Sequence, residues 1–255
     1  MPYVTSGHSK LYYEVRGEGP PLVLAHGVGG NHASWFNQVP RFAQRYTTIT
    51  IDHRAFGNSE DLEGIGQAGY LDDLQRLLDE LKLETVSLVG QSMGGATCAA
   101  FACRHPKRVR ALVHADSLAG VTLPEPQATM LASTHERTRD LSQLERVLGP
   151  QIREREPEHA FLYQQIASFN SVSLKTVKGR APAWSPAELA QTGVPVLFVV
   201  GEQDVICPSA LIAALHRGVP GSRLEVIAGA GHSAYFEAPR AFNQSVLKFL
   251  AEVHA

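Results

Sequence analysis

Short runs of β-branched and other apolar residues recur along the chain: Leu22 to Ala25, Thr47 to Ile51, Val86 to Val89, Val109 to Val113, Val196 to Val200 and Leu224 to Ile227. Runs of this length and composition suit strands buried on both faces of a sheet. Helical patterns lie between most of them. Tyr70 to Leu83, for example, places Leu71, Leu74, Leu77, Leu78 and Leu81 at three- and four-residue spacing, one apolar stripe on a helix. Strand alternating with helix argues for a mostly parallel α/β sheet covered by helices on both faces.

Two features modify that plan. Tyr12-Tyr13-Glu14-Val15, followed by Gly17-Glu18-Gly19-Pro20-Pro21, reads as an early strand and a turn, an antiparallel edge added to the sheet. From Gly120 to Ser185 the alternation stops, and Met130-Leu131, Leu141-Leu144-Val147-Leu148 and Leu162-Ile166-Phe169 give only helical patterns, separated by prolines and Gly149. The sheet pattern resumes behind Ser185-Pro186-Ala187-Glu188, with its capping Ser, Pro at the first helical position and Glu three residues on. A length of 255 residues fits one large domain with an insertion: core 1–119, helical lid 120–185, core 186–255.

Composition excludes several classes. With 44% hydrophobic and 19% charged residues the chain has a core to bury, and a net charge of -2 without a basic cluster offers nothing to nucleic acid. The three cysteines, an odd number, indicate a reducing compartment. Neither a basic leader nor an apolar run of membrane-spanning length occurs, so a cytoplasmic protein with no membrane partner is expected. H-E-x-x-H and C-x-x-C are both missing, and no metal or cofactor is expected.

The chemistry concentrates in Gly90-Gln91-Ser92-Met93-Gly94-Gly95, a G-x-S-x-G sequence between a strand pattern and a small-residue helix. A turn of this kind strains the serine backbone and needs flanking glycines where side chains would collide; it lifts Ser92 above the sheet and aims the Met93 amide at a developing oxyanion. Chance alone gives about 0.12 such matches in a chain of this composition, so the partners decide the matter. The alternative is a glycine-rich turn with an exposed serine. A serine hydroxyl needs a base, and the base an acid to orient it. In open α/β sheets such groups collect just past the carboxyl ends of strands. Asp204 follows the Val196 strand and His232 follows the Leu224 strand, giving the chain order nucleophile, acid, base. Asp116, after the Val109 strand, is a rival acid. His26-Gly27-Val28-Gly29-Gly30, after the Leu22 strand, is a glycine-rich turn able to present a second amide opposite that of Met93, with His26 a structural ring.

His26-Gly27, the Ser92 turn, Gly201-Glu202-Gln203-Asp204 and Gly231-His232, with Asp52-His53-Arg54-Ala55-Phe56-Gly57-Asn58-Ser59 between, resemble the α/β-hydrolase superfamily over nearly the whole chain. More narrowly, the pattern is similar to small bacterial esterases, 3-oxoadipate enol-lactonases and meta-cleavage product hydrolases. The resemblance implies an eight-stranded sheet, a helical lid between strands 6 and 7, oxyanion amides from Val28 and Met93, and Asp204 orienting His232. Ser92 stands where the resembling dehalogenases and epoxide hydrolases carry Asp, Gln91 where meta-cleavage hydrolases carry Asn, and Val28 where perhydrolases carry Trp.

The expectation is a serine hydrolase of a small carboxylic ester or lactone working through an acyl-enzyme. The alternatives are carbon–carbon hydrolysis of a vinylogous diketone by the same residues, or a slow-turnover ligand receptor. Met130, Phe161, Phe169 and Trp184 of the lid, with Trp35 at the edge, are expected to touch substrate. Gly64-Ile65-Gly66-Gln67-Ala68-Gly69 matches the dinucleotide fingerprint G-x-G-x-x-G but follows no strand, and reads as a mobile loop.

Overall fold

The computed structural model describes residues 2–254. Eight strands form one sheet: β1 (Tyr3–Ser6), β2 (Ser9–Arg16), β3 (Pro21–Ala25), β4 (Thr47–Ile51), β5 (Val86–Gln91), β6 (Val109–Ala115), β7 (Val196–Gly201) and β8 (Arg223–Ile227). Their spatial order is β1-β2-β4-β3-β5-β6-β7-β8. The pairs β1/β2 and β2/β4 are antiparallel and every later pair is parallel. The antiparallel edge therefore has two strands rather than one.

Eleven α-helices accompany them among the described residues: α1 (Val39–Phe42), α2 (Tyr70–Glu80), α3 (Met93–Arg104), α4 (Gln127–Thr138), α5 (Gln143–Val147), α6 (Pro150–Arg155), α7 (Pro157–Ser168), α8 (Pro186–Gln191), α9 (Ser209–Gly218), α10 (Ala234–Glu237) and α11 (Pro239–Val253). Side chains alternate across the pleat, so each strand feeds two cores. Val23, Ala25, Phe198 and Val200 join the apolar faces of α2, α3, α8 and α9. Leu22, Leu24, Leu197 and Val199 join those of α1, α7 and α11 on the other side. The strand at Leu224 to Ile227 departs from expectation. It is the sheet's outer edge, with Ile227 its sole buried residue, because no described strand pairs beyond it.

Helices α4 to α8 lie between β6 and β7, α4 to α7 of them ahead of Trp184. The chain leaves and re-enters the core at one neck, where Trp184 N donates to Gly120 O (3.1 Å) and Thr122 N to Trp184 O (2.8 Å). Trp184 is buried there, its Nε1 donating to Ala119 O (3.0 Å) and its ring edge-on to His114 (4.9 Å). Ser185 caps α8 by accepting from Glu188 N. The loop at residues 64 to 69 is docked rather than free. Gln67 N donates to Lys178 O (2.9 Å), and Ile65 N and Gly66 N to the Asp61 carboxylate, so its amides are occupied by protein. Among the described residues no helix is long and apolar enough to cross a membrane.

Buried histidines make the fold acid-sensitive. His114 donates from Nε2 to Ser117 O (3.0 Å), while its Nδ1 is buried without a partner; burial pushes its pKa down to about 4. His26 and His53, also buried, are lowered by the same cause. A histidine that is neutral when folded gains its proton on unfolding, so stability is full above the unfolded value near 6.5 and is lost as pH falls toward the folded value. For His114 alone the loss between pH 7 and pH 5 is about 2 kcal/mol, and the other two act in the same direction. Urea midpoints measured at the two pH values check this; equal midpoints contradict it.

Candidate active site

Ser92 sits between β5 and α3 with φ +51° and ψ −116°, a strained backbone for a residue with a side chain. Its own amide is tied to Ala115 O (2.9 Å) and its carbonyl accepts from Gly95 N (2.8 Å) and Ser117 Oγ (2.6 Å), which over-determine the turn. Glycine is required on both sides. A Cβ on Gly90 would strike the Gly94 carbonyl, and one on Gly94 the carbonyls of Ala25 and His26.

His232 lies just past β8, and its Nε2 is 2.9 Å from Ser92 Oγ. Its Nδ1 is 2.8 Å from Asp204 Oδ2, and Asp204 also accepts from Ile206 N and Cys207 N (both 2.8 Å) through Oδ1. Asp204 cannot turn away without breaking those two bonds. The geometry thus brings together three residues spread over 140 positions of sequence. Gln91, beside the serine, donates from Nε2 to the His232 carbonyl (2.9 Å) and so fixes the histidine loop against the serine turn.

Asp116, the rival acid, does not reach His232. It accepts from Gly201 N (2.8 Å) and Ala234 N (3.3 Å), clamping the end of β7 to the segment after the histidine. Burial, reinforced by the nearby Asp204 charge, holds its carboxyl well above the usual carboxylate range. Glu237 does similar work, accepting from Gly149 N (2.7 Å), Gly231 N (3.0 Å) and Ser233 N (3.1 Å). Neither clamp is visible in a linear pattern, because each carboxylate bonds backbone amides far away in sequence.

Met93 N opens α3, and Val28 N lies in the turn after β3. Neither amide has an intramolecular acceptor among the described residues. His26 supports the second turn as a structural ring, with Nδ1 donating to Gly27 O (2.8 Å) and Nε2 accepting from His53 N (2.9 Å). Asp204, Cys207 and His232 offer three ligand atoms within 4.8 Å of one another. They suit a metal poorly: Asp204 and His232 are spent on each other and on Ser92, and burial raises the Cys207 thiol well above its ordinary value.

A cavity of about 730 Å³ opens above the serine, with Val28, Ser92, Ile206 and His232 among its lining. Leu141 and Val147 from in and around α5, and Leu174 beyond α7, supply its apolar wall. The aromatic and Met side chains expected to touch substrate lie elsewhere. Trp35 is wholly buried against Tyr235 (4.6 Å between rings), and Trp184 closes the neck. Met130, Phe161 and Phe169 are 44%, 58% and 72% exposed. Hydrophobic type alone does not say which side of a short helix faces the cavity; Leu141 and Val147 were within the predicted helical patterns, whereas Leu174 was not.

The fold and this arrangement are those of an α/β hydrolase. Residues 20–160 match the family model described as alpha/beta hydrolase fold, and residues 168–255 match one described as TAP-like protein. The chain belongs to the α/β-hydrolase fold family and is a hydrolase. It is similar to a solved thermophilic esterase from Thermogutta terrifontis (26% identity, TM-score 0.83, covering 100% of this chain and 99% of that one). It also resembles Est816, described as an N-acyl homoserine lactone degrading enzyme (28%, TM-score 0.80, 97% and 100% covered). A third similar structure is the carboxylesterase CesB of Bacillus subtilis (26%, TM-score 0.78, 97% and 90% covered).

Proposed function

We propose that the protein is a cytoplasmic serine hydrolase that cleaves a small carboxylic ester or lactone through an acyl-enzyme on Ser92. The observation that carries this reading is the relay from Asp204 through His232 to Ser92 Oγ, at 2.8 and 2.9 Å, at the base of a cavity. Residues 120–185 act as the lid of that cavity, and the similarity to an esterase, a lactone-degrading enzyme and a carboxylesterase supports the bond type.

His232 Nε2 takes the Ser92 proton as Oγ attacks the carbonyl, and Asp204 holds the imidazole in the tautomer that leaves Nε2 free to accept. Charge developing on the carbonyl oxygen is met by the unpartnered amides of Val28 and Met93, already in place before the reaction. The imidazolium then gives its proton to the leaving alkoxide, which frees the alcohol and leaves the acyl group on Ser92. Water enters, His232 removes its proton, and collapse of the second tetrahedral species releases the acid and restores the serine. No step draws on a cofactor or metal.

A fluorophosphonate, which phosphonylates an activated serine, tests the assignment directly. The expected product is a single adduct by intact mass, located in the peptide carrying Ser92 and missing from the Ser92→Ala protein. An unlabelled wild type, or an adduct on another residue, contradicts it.

A further inference from the structure

We infer that Glu237 is a positioning residue for His232: its carboxylate holds the main chain on both sides of the base and adds a second negative charge facing the imidazolium. This rests on the serine-hydrolase reading above and deepens it. Glu237 closes α10, four residues past Ser233, and turns back on the segment it follows. Its Oε1 accepts from Gly231 N (3.0 Å) and Ser233 N (3.1 Å), the amides flanking His232. Its Oε2 accepts from Gly149 N (2.7 Å), at the start of α6. All three contacts are donated to it, the pattern an ionised carboxylate satisfies. With Gln91 Nε2 on His232 O (2.9 Å) and Asp116 on Ala234 N (3.3 Å), the histidine loop is gripped along its length. Two glycines make room for this grip. A Cβ on Gly231 would strike Gly149 N, and one on Gly149 would lie 2.9 Å from Glu237 Oε2 and 3.0 Å from Gly231 N.

The charge has a use that the grip alone does not. The titratable groups that feel Glu237 are His232, Asp116, Tyr163 and Tyr235. Burial holds Asp116 well above the usual carboxylate range, pushes the Tyr163 phenol up to about 12 and raises that of Tyr235 well above its ordinary value. Arg153, one turn along α6 from Gly149, directs its Nε to Leu148 O (3.2 Å). Among the four titratable groups, His232 alone can become positive, and it does so when it takes a proton from Ser92 or water. A negative charge fixed by three amides in partly buried surroundings is in place before that charge develops. Asp204 orients the ring through Nδ1, and Glu237 orients the backbone that carries it.

Glutamine keeps the shape of the side chain but has one carbonyl oxygen, so one edge must set N–H against N–H, and the charge is lost. Glu237→Gln is expected to lower kcat for p-nitrophenyl acetate by about 10- to 100-fold with KM within about threefold of wild type, and to slow fluorophosphonate labelling of Ser92 by a similar factor. Removing a negative charge disfavours the imidazolium, so the base stays free at lower pH. The acid limb of the kcat/KM profile should therefore move down by about half a unit to one unit. Glu237→Asp keeps the charge on a shorter arm; it should lower kcat and leave the acid limb in place. Thermal melts of both variants report on folding. A glutamine variant that loses stability while its acid limb stays put marks a purely structural residue and overturns the inference, as does one with wild-type kcat. If the glutamine variant fails to fold, an aspartate variant with wild-type kcat and labelling rate overturns it equally. These outcomes leave the serine-hydrolase reading standing, whereas a wild type that is neither active on the ester nor labelled overturns both.

Discussion

Replacing Ser92 with alanine is expected to lower kcat/KM for p-nitrophenyl acetate by about 10³- to 10⁶-fold. The size follows from how the site is built. The hydroxyl is the only atom removed, so the amides of Val28 and Met93 and the cavity remain and sustain a residual rate through binding and oxyanion stabilisation. Attack then falls to water with no nucleophile held next to His232 Nε2. The fold should survive. The strained turn is fixed by the backbone bonds of Ser92 to Ala115 and Gly95 and by its carbonyl's bond from Ser117, none of which involve the lost oxygen. The melting temperature is therefore expected within a few degrees of wild type. Asp204→Asn should cost about 10⁴-fold for a different reason: an amide in that position favours the wrong imidazole tautomer. Steady-state kinetics together with a thermal melt check the pair, and an alanine variant that keeps more than a tenth of the activity rules out the acyl-enzyme on this residue.

The second large effect lies far from the chemistry. Arg54 is buried, yet its guanidinium is fully engaged: Nε and Nη2 form a two-pronged pair with Asp73 (3.0 and 2.6 Å), and Nη1 meets Glu63 (2.7 Å) and Ser9 Oγ (2.9 Å). This network pins the segment after β4 to α2 and to the β1–β2 edge. Asp73→Ala removes half the compensation and leaves a buried cation, at an expected cost of about 3 to 5 kcal/mol. For a chain of this size that corresponds to a fall in melting temperature of roughly 10 °C or more. Replacing Arg54 and Asp73 together by apolar residues should cost less than the single change, because no buried cation is left behind and Glu63, which loses its partner, reaches solvent. Thermal melts of the single and double variants measure both quantities; an Asp73→Ala protein as stable as wild type means the pair contributes nothing.

Much of this architecture was legible in the sequence, for a physical reason. Strands buried on both faces must be apolar throughout, so the six runs from Leu22 to Ile227 announced themselves, even though the last became an exposed edge. The Ser92 turn was legible because its glycines answer to backbone collisions, which any sequence making that turn must avoid. Asp204 and His232 were legible because strand ends have identifiable positions. The cavity wall was not. Its outline depends on the rotation of helices such as α4 and α5, and the large aromatics proved to serve the core, the neck or solvent. Asp116 and Glu237 were opaque for a further reason: their partners are main-chain amides, and an amide has no residue type.

The neck at Gly120 and Trp184 has an evolutionary and practical consequence. Helices α4 to α7 leave and rejoin the sheet through one hydrogen-bonded neck that the tryptophan plugs from the core side, and they are pinned to the core again where Asn31 Nδ2 donates to Ile166 O and Gly149 N to Glu237. Ser92, His232, Asp204 and the free amides of Val28 and Met93 all come from outside that excursion. Selection, or a protein engineer, can therefore exchange the roof as a cassette and change which molecule is admitted while the bond-breaking apparatus beneath it stays as it was.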